Sequence, residues 1–202
     1  MKTTKIPMLI KPFLLAFFLI FSFNAFAQDA LLFTPPLKDD VVYYEKVVPV
    51  NGMDKDAIYT RVLDWYLKNF KSFDNDLYTN DIELGQLAAK ASFPFVGTES
   101  SGGSNYNANF ELQVDCKDGK YRYRFTNFKR TSKDVTPTPA NSQYVVDVPM
   151  ENDIAIEHGG VKGFPRVSQK QSAMNRLVAL DAKVNSLIND LDKTVNKKAE
   201  NF

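Results

Sequence analysis

Arg122, Arg124 and Lys90, with Asn107, Asn109 and Gln113, are the residues of this chain best suited to hold a ligand. Cations and amides gathered on one surface present charged and neutral hydrogen-bond donors, a set that suits a polysaccharide, a peptide or an anionic group. They meet only if they share the polar side of one antiparallel sheet, where Asp115 and Glu111 stand among them as counter-charges. A solvated, self-neutralised sheet face uses the same residue types and is the commoner arrangement.

Other constellations carry less chemistry. His158 precedes Gly159-Gly160 and has the pKa range of a general base, but no glycine-x-serine-x-glycine elbow supplies a nucleophile for it, and a lone histidine in a glycine-rich loop is ordinarily a surface residue. Gly160-Val161-Lys162-Gly163 has the spacing of the backbone clamp in KH-type RNA-binding domains; Phe164-Pro165 follows where a helix is required, so the segment reads as a turn. Asp74, Asp76, Asp81 and Glu83 lack the glycine and terminal glutamate of a twelve-residue calcium loop. One histidine and one cysteine, Cys116, cannot assemble the usual zinc or iron ligand sets, and no cofactor motif appears. A single cysteine also excludes an internal disulfide. Nothing singles out a carboxylate pair for glycoside hydrolysis, since their separation is a property of the fold.

The elements that position the polar set are legible from periodicity. Tyr106, Ala108, Phe110, Leu112, Val114 and Cys116 alternate with Asn107, Asn109, Glu111, Gln113 and Asp115, the pattern of a strand with one wet side. Asp118-Gly119 predicts a two-residue type I′ turn, with a return strand from Lys120 to about Lys129. That register pairs Cys116 with Tyr121, Val114 with Tyr123 and Leu112 with Phe125, and sets Asp115 against Arg122 and Gln113 against Arg124. Upstream, Val41 to Val48 predicts a first strand and Asn51-Gly52 a turn. Asp54 predicts a helix N-cap, with Met53 and Ile58 spaced as a staple and Ile58, Val62, Trp65, Tyr66 and Phe70 as one apolar stripe. Leu77 to Ile82 and the run from Leu87 to Phe95 predict two more strands, and Gly97 to Ser104 a mobile connection.

Beyond Arg130 the signal thins. Residues 131–167 predict a linker or irregular loop, with a short strand within Tyr144 to Met150 and irregular chain from Ile154 to Pro165. Ser168 and Gln171 predict a capping box that opens a helix over 168–197, striped by Met174, Leu177, Leu180, Val184, Leu187, Leu191 and Val195. That stripe serves a helix lying on its own sheet or a coiled-coil seam with a second chain, and the former is the commoner use in α+β domains. The fold class expected is α+β: a curved antiparallel sheet of about five strands with helices on one face and a long C-terminal helix.

The chain opens with Lys2, Lys5 and Lys11, an apolar run from Phe13 to Phe23, and Ala25-Phe26-Ala27 ahead of Gln28. That is the pattern of an export signal cleaved between Ala27 and Gln28, too short to span a membrane, and no cysteine stands at the cut for a lipid anchor. The leader holds three of the 25 basic residues and none of the 24 acidic ones, which leaves 22 against 24, a net −2. A near-neutral exported chain has no field to steer nucleic acid.

Val47-Val48-Pro49-Val50-Asn51-Gly52 before the first helix, Trp65 and Tyr66 within it, and Lys117-Asp118-Gly119-Lys120-Tyr121-Arg122 closing the hairpin resemble a known family. It is the secreted Bacteroidota-type domain of unknown function 4468, with a fold like that of the TATA-box-binding protein. The resemblance covers about Asp40 to Arg130. It implies a curved antiparallel sheet with helices on one face and export to the periplasm or cell surface, and it brings no catalytic residues to transfer. Fold alone does not bring nucleic-acid binding either.

Three functional classes follow. The leading expectation is a non-enzymatic exported module that binds an envelope protein or polysaccharide, which needs an exposed aromatic or basic patch. A carboxylate-dependent enzyme on cell-wall or polysaccharide substrates needs a deep pocket with convergent titratable groups. A structural subunit that self-associates through its C-terminal helix needs that helix's apolar stripe undocked. The tyrosines matter to the choice: an exposed set stacks on sugars, whereas a buried set belongs to the core.

Overall fold

The computed structural model of the chain describes residues 32–70, 77–99, 102–132, 147–160 and 166–197. The export signal with Ala27 and Gln28, Asp74 and Asp76, most of the expected linker, and Val161 to Gly163 lie outside the described residues. The chain divides into Met1–Leu32 and Phe33–Phe202, and the second unit carries the fold.

Alternation of apolar and polar residues builds the sheet. Its strands are β3 (Tyr44–Pro49), β4 (Leu77–Asp81), β5 (Gln86–Glu99), β6 (Gly102–Lys117), β7 (Lys120–Ser132) and β8 (Val148–Pro149). The order is β3-β7-β6-β5-β4, with β8 pairing the far end of β7, and every pairing is antiparallel. A separate two-stranded hairpin, β1 (Leu37–Lys38) and β2 (Val41–Val42), precedes it. The single strand expected over Val41 to Val48 is therefore two, each serving a different sheet. The helices are α1 (Lys55–Asn69), α2 (Glu151–His158) and α3 (Val167–Asn196).

The predicted hairpin register holds at every expected pair: Cys116 with Tyr121, Val114 with Tyr123, Leu112 with Phe125, Asp115 with Arg122 and Gln113 with Arg124. Its turn differs. Gly119 has φ of 74°, but Asp118 does not take the positive φ that a type I′ turn demands. Tertiary contacts settle the turn instead: the Asp118 carboxylate accepts from Lys55 N at 2.8 Å, Gly119 N donates to Met53 O at 2.9 Å, and Val50 N donates to Gly119 O at 2.7 Å. The turn is thus stitched to the start of α1. Positive φ at both central residues occurs in the β1–β2 hairpin, at Asp39 (52°) and Asp40 (61°).

Of the connection expected to be mobile, the described residues 97–99 and 102–104 are paired as strand. β5 and β6 stay paired out to Glu99 opposite Gly102, because Phe95 and Tyr106 stack at the covered end of the hairpin with ring centroids 5.4 Å apart. Gly97 is needed there, since a Cβ would sit 2.7 Å from the Arg176 side chain that crosses it.

One face of the sheet is covered. Asp54 caps α1 as expected, accepting from Ala57 N at 2.7 Å, and Ile58, Val62, Trp65, Tyr66 and Phe70 are buried. Phe110 lies at the centre of an aromatic cluster, its ring 5.4 to 5.8 Å from those of Phe70, Phe93, Phe125 and Phe128. α3 lies on the same layer: Leu177, Leu180, Val184, Leu187, Leu191 and Val195 are all buried in the core, which leaves Met174 alone of the predicted stripe half-exposed. That stripe is spent within the chain and is not free to form a seam with a second copy. Two phenols fasten the helix: Tyr44 donates to Asp181 at 2.9 Å, and Tyr121 donates to Asp192.

Two expectations about the C-terminal third are corrected. α2 occupies chain expected to be irregular; its buried residues are Asp153 and Glu157 rather than apolar ones, so no hydrophobic period marks it. The cap of α3 sits two residues earlier than Ser168 and Gln171, and it is half a capping box, because the Arg166 side chain has no acceptor. Arg166 is the N-cap, and Gln169 reaches back to its backbone N–H at 2.8 Å.

Candidate functional site

The face of the sheet opposite the helices carries the six candidate residues in rows that cross the strands. One row runs Val47, Arg122, Asp115, Gln86; the next Glu45, Arg124, Gln113, Ala88. Further along come Thr126, Glu111, Lys90, then Lys129, Asn109, Ser92, then Thr131, Asn107, Pro94. Strand pairing therefore brings Lys90, Asn107, Asn109, Gln113, Arg122 and Arg124 onto one surface, though not into one site.

The two arginines are already committed. Arg122 and Arg124 both donate to Asp115 Oδ2, at 2.7 and 2.8 Å, and Glu45 lies 3.8 Å from Arg122. The Asp115 hydrogen bond raises the Arg122 pKa above its ordinary value. A hollow of about 220 Å³ beside them is lined by Val47, Asp115, Lys117, Lys120 and Arg122; Asp115 answers Arg122 there, while Lys117 and Lys120 form no ion pair among the described residues.

The other half is different. A cavity of about 330 Å³ opens between Lys90, Ser92, Asn109, Glu111, Lys129 and Asp147. Lys90 and Lys129 form no ion pair among the described residues. The nearby carboxylates are partly occupied: Glu111 Oε1 accepts from Asn127 at 3.1 Å, and Asp147 Oδ1 accepts from Asn109 at 3.2 Å and from the Thr131 hydroxyl. Asn107, Gln113, Arg122 and Arg124 stand outside the lining.

A β-bulge makes the dent. The β6–β7 register shifts between Asn109 and Glu111, where Asn127 takes φ of 55°. Tyr121, Tyr123 and Phe125 point to the core, and the inserted residue lets Phe128 follow them in and turns Lys129 to the open face. Strict alternation places Lys129 on the covered face, so periodic reasoning missed it. The signal was present in Phe128, one step out of phase with the preceding aromatics, directly after an asparagine that tolerates left-handed backbone. Asp147 was missed because it enters from the chain before β8, which carries no strong pattern.

Behind Lys129, the strand is held by a buried ionic cluster. Asp153 of α2 is fully buried and accepts from Arg130 at 2.8 and 3.3 Å and from Arg176 of α3 at 3.0 and 2.7 Å. The Tyr106 ring lies 5.5 Å from the Arg130 guanidinium carbon and 5.9 Å from that of Arg176. Arg130 thus pins the covered side of the residue next to Lys129.

The remaining candidates do not gather. Cys116 is buried, and burial pushes its thiol up to about 12. His158 is exposed with its ring 3.2 Å from the Thr34 hydroxyl, at the far side of α2. Among the described residues no cluster of histidine, cysteine or acidic side chains is fit to hold a metal, and Asp81 instead accepts from Leu84 N at 2.8 Å. Among the described residues Tyr44, Tyr59, Tyr66, Tyr106, Tyr121 and Tyr123 are buried, Tyr43 is half-buried with the Lys38 ammonium over its ring, and Tyr78 is exposed. Desolvation raises the phenols of Tyr44 and Tyr121, and pushes Tyr123 up to about 12, all on the covered face. Among the described residues no helix is long and apolar enough to cross a membrane.

Residues 44–131 match the family described as a domain of unknown function (DUF4468) with TBP-like fold. The fold is similar to that of a DUF4468 family protein from Bacteroides ovatus, at a TM-score of 0.59 and 16% identity over 83% of this chain and 94% of that one. It is also similar to a TBP-like protein from Parabacteroides distasonis, at 0.54 and 13% over 78% and 96%. Both likenesses cover more of the chain than the matched segment and establish the fold alone. No curated protein matches the chain. The DUF4468 match with TBP-like fold thus covers residues 44–131, and α2 and α3 lie outside the matched segment.

Proposed function

We propose that this DUF4468-domain protein is an exported, non-enzymatic binding module of the periplasm or cell surface, which engages an envelope component through the open face of its sheet. The observation that carries the reading is the pair of ammonium groups, Lys90 and Lys129, at the bulge cavity with no ion pair among the described residues. Glu111 and Asp147 share the lining, so the preference for an anion is local to the two ammonium groups, neither of which is paired with those carboxylates. Export rests on the leader pattern ahead of Gln28. Catalysis draws no comparable support, because the groups whose protonation burial shifts most, Tyr44, Tyr121, Tyr123 and Cys116, face the helices.

The test is co-sedimentation of the mature protein, Gln28 to Phe202, with purified peptidoglycan sacculi and with outer-membrane fragments. The double variant Lys90→Glu, Lys129→Glu is compared with Lys68→Glu, which changes an exposed residue at the end of α1. Sedimentation that falls about tenfold in the double variant and persists in the control is the expected result. Equal sedimentation of all three proteins, or none by the unaltered one, refutes the proposal.

A further inference from the structure

We infer that the bulge cavity takes a polyhydroxylated carboxylate, the chemistry of a sugar acid; the inference rests on the binding role proposed above and names its ligand class. The donors and acceptors left over around the cavity define the guest. Lys90 and Lys129 supply ammonium donors that no carboxylate occupies. The Glu111 Oε2 and Asp147 Oδ2 atoms, and the amide oxygens of Asn109 and Asn127, accept no hydrogen bond among the described residues. The site therefore asks for one anionic group facing the lysines and several hydroxyl donors facing the acidic and amide oxygens.

Other classes fit less well. A sulfate dianion brings no donor for the free acceptors and hydrogen phosphate only one, and either sets a second negative charge near Glu111 and Asp147. A neutral sugar leaves both ammoniums unanswered and finds no aromatic platform, because the one aromatic residue of the lining, Phe110, is 3% exposed with its ring stacked on those of Phe125 and Phe128. An ammonium ligand meets two like charges. At about 330 Å³ the cavity is at the small end of small-molecule sites and suits a single ring.

The experiment is a two-dimensional amide NMR titration of the mature protein with D-galacturonate, its α-1,4-linked trimer, glucose and inorganic sulfate. Galacturonate is expected to shift the amides around Lys90, Asn109, Asn127 and Lys129 with millimolar affinity, glucose to shift none, and sulfate to bind at least tenfold more weakly. Lys90→Gln, Lys129→Gln lowers galacturonate affinity at least tenfold with an otherwise unchanged spectrum. Tighter binding of the trimer identifies a polymer as the source, and equal binding a free sugar acid; either supports the class. Sulfate that matches galacturonate, or galacturonate without shifts at its solubility limit, overturns it. If sugar acids fail while sacculus binding still needs the lysines, only the ligand class falls; if both fail, the binding role falls as well.

Discussion

Replacing Asp153 with alanine leaves two guanidinium groups facing each other inside the protein. The wild-type carboxylate is fully buried and answers four N–H donors between 2.7 and 3.3 Å, so its loss removes those charge-assisted bonds from Arg130 and from Arg176, the latter only 7% exposed. The Tyr106 ring, 5.5 and 5.9 Å from the two guanidinium carbons, attracts each cation but cannot cancel their mutual repulsion. Breaking a buried pair by deleting one partner costs about 3–5 kcal/mol, a large share of the roughly 5–15 kcal/mol that holds a domain together. Urea denaturation of Asp153→Ala should show that loss at unchanged slope, with a melting temperature lower by on the order of 10 °C. The double variant D153A/R176M should be more stable than D153A, because it removes one of the two like charges that the carboxylate held together and puts an apolar stem in its place. A loss below about 1 kcal/mol in the single variant, or a double variant less stable than the single, would falsify the account of this cluster as a carboxylate-centred clamp between β7, α2 and α3.

Two further outcomes follow from local geometry. Asn127→Val and Asn127→Gly both lose the 3.1 Å bond to Glu111, so the difference between them isolates the backbone; with φ at 55°, valine should be less stable than glycine by about 1–2 kcal/mol in urea titrations, and equal stabilities would refute the bulge as drawn. Alkali should unfold the protein progressively. Cys116 moves from its ordinary 9.0 up to about 12 and Tyr123 from 10.0 up to about 12 through burial, with Tyr44 and Tyr121 also raised. The unfolded chain then loses these protons first, so stability is fully present below pH 9 and declines as pH rises toward 12. Flat stability across that window, or rapid alkylation of Cys116 in the folded protein at neutral pH, would contradict it.

Much of the fold was legible because the sheet repeats with period two and one face is buried. The alternation from Tyr106 to Cys116 and the pairing of Asp115 with Arg122 follow from the side-chain pattern and the two-residue turn, since a slip of one residue inverts both faces. Asp54 as the cap of α1, and the apolar stripe of α3, are equally local signals. Signals that contact decides were not legible. α2 buries carboxylates, so its helix forms around Arg130 and Arg176, which lie 23 residues to either side of Asp153 in the chain, and no periodicity reports it. The Asp118-Gly119 turn takes its shape from the backbone before α1, and the glycine-rich end of β5 and β6 stays paired because Phe95 stacks on Tyr106.

The candidate site divides in the same way. The residues of the polar face are set by the sequence itself, because alternation along each strand assigns Lys90, Asn107, Asn109, Gln113, Arg122 and Arg124 to one side of the sheet. Which of them remain available is a matter of tertiary contact: Asp115 takes up both arginines, whereas the inserted residue at Asn127 turns Lys129 outward to join Lys90 at a cavity that Asp147 closes from a distant segment. Periodicity reports the side of a sheet on which a residue lies. Neutralisation, and the one-residue bulge that redirects a lysine, depend on neighbours brought together from other strands, and those meet only in the folded chain.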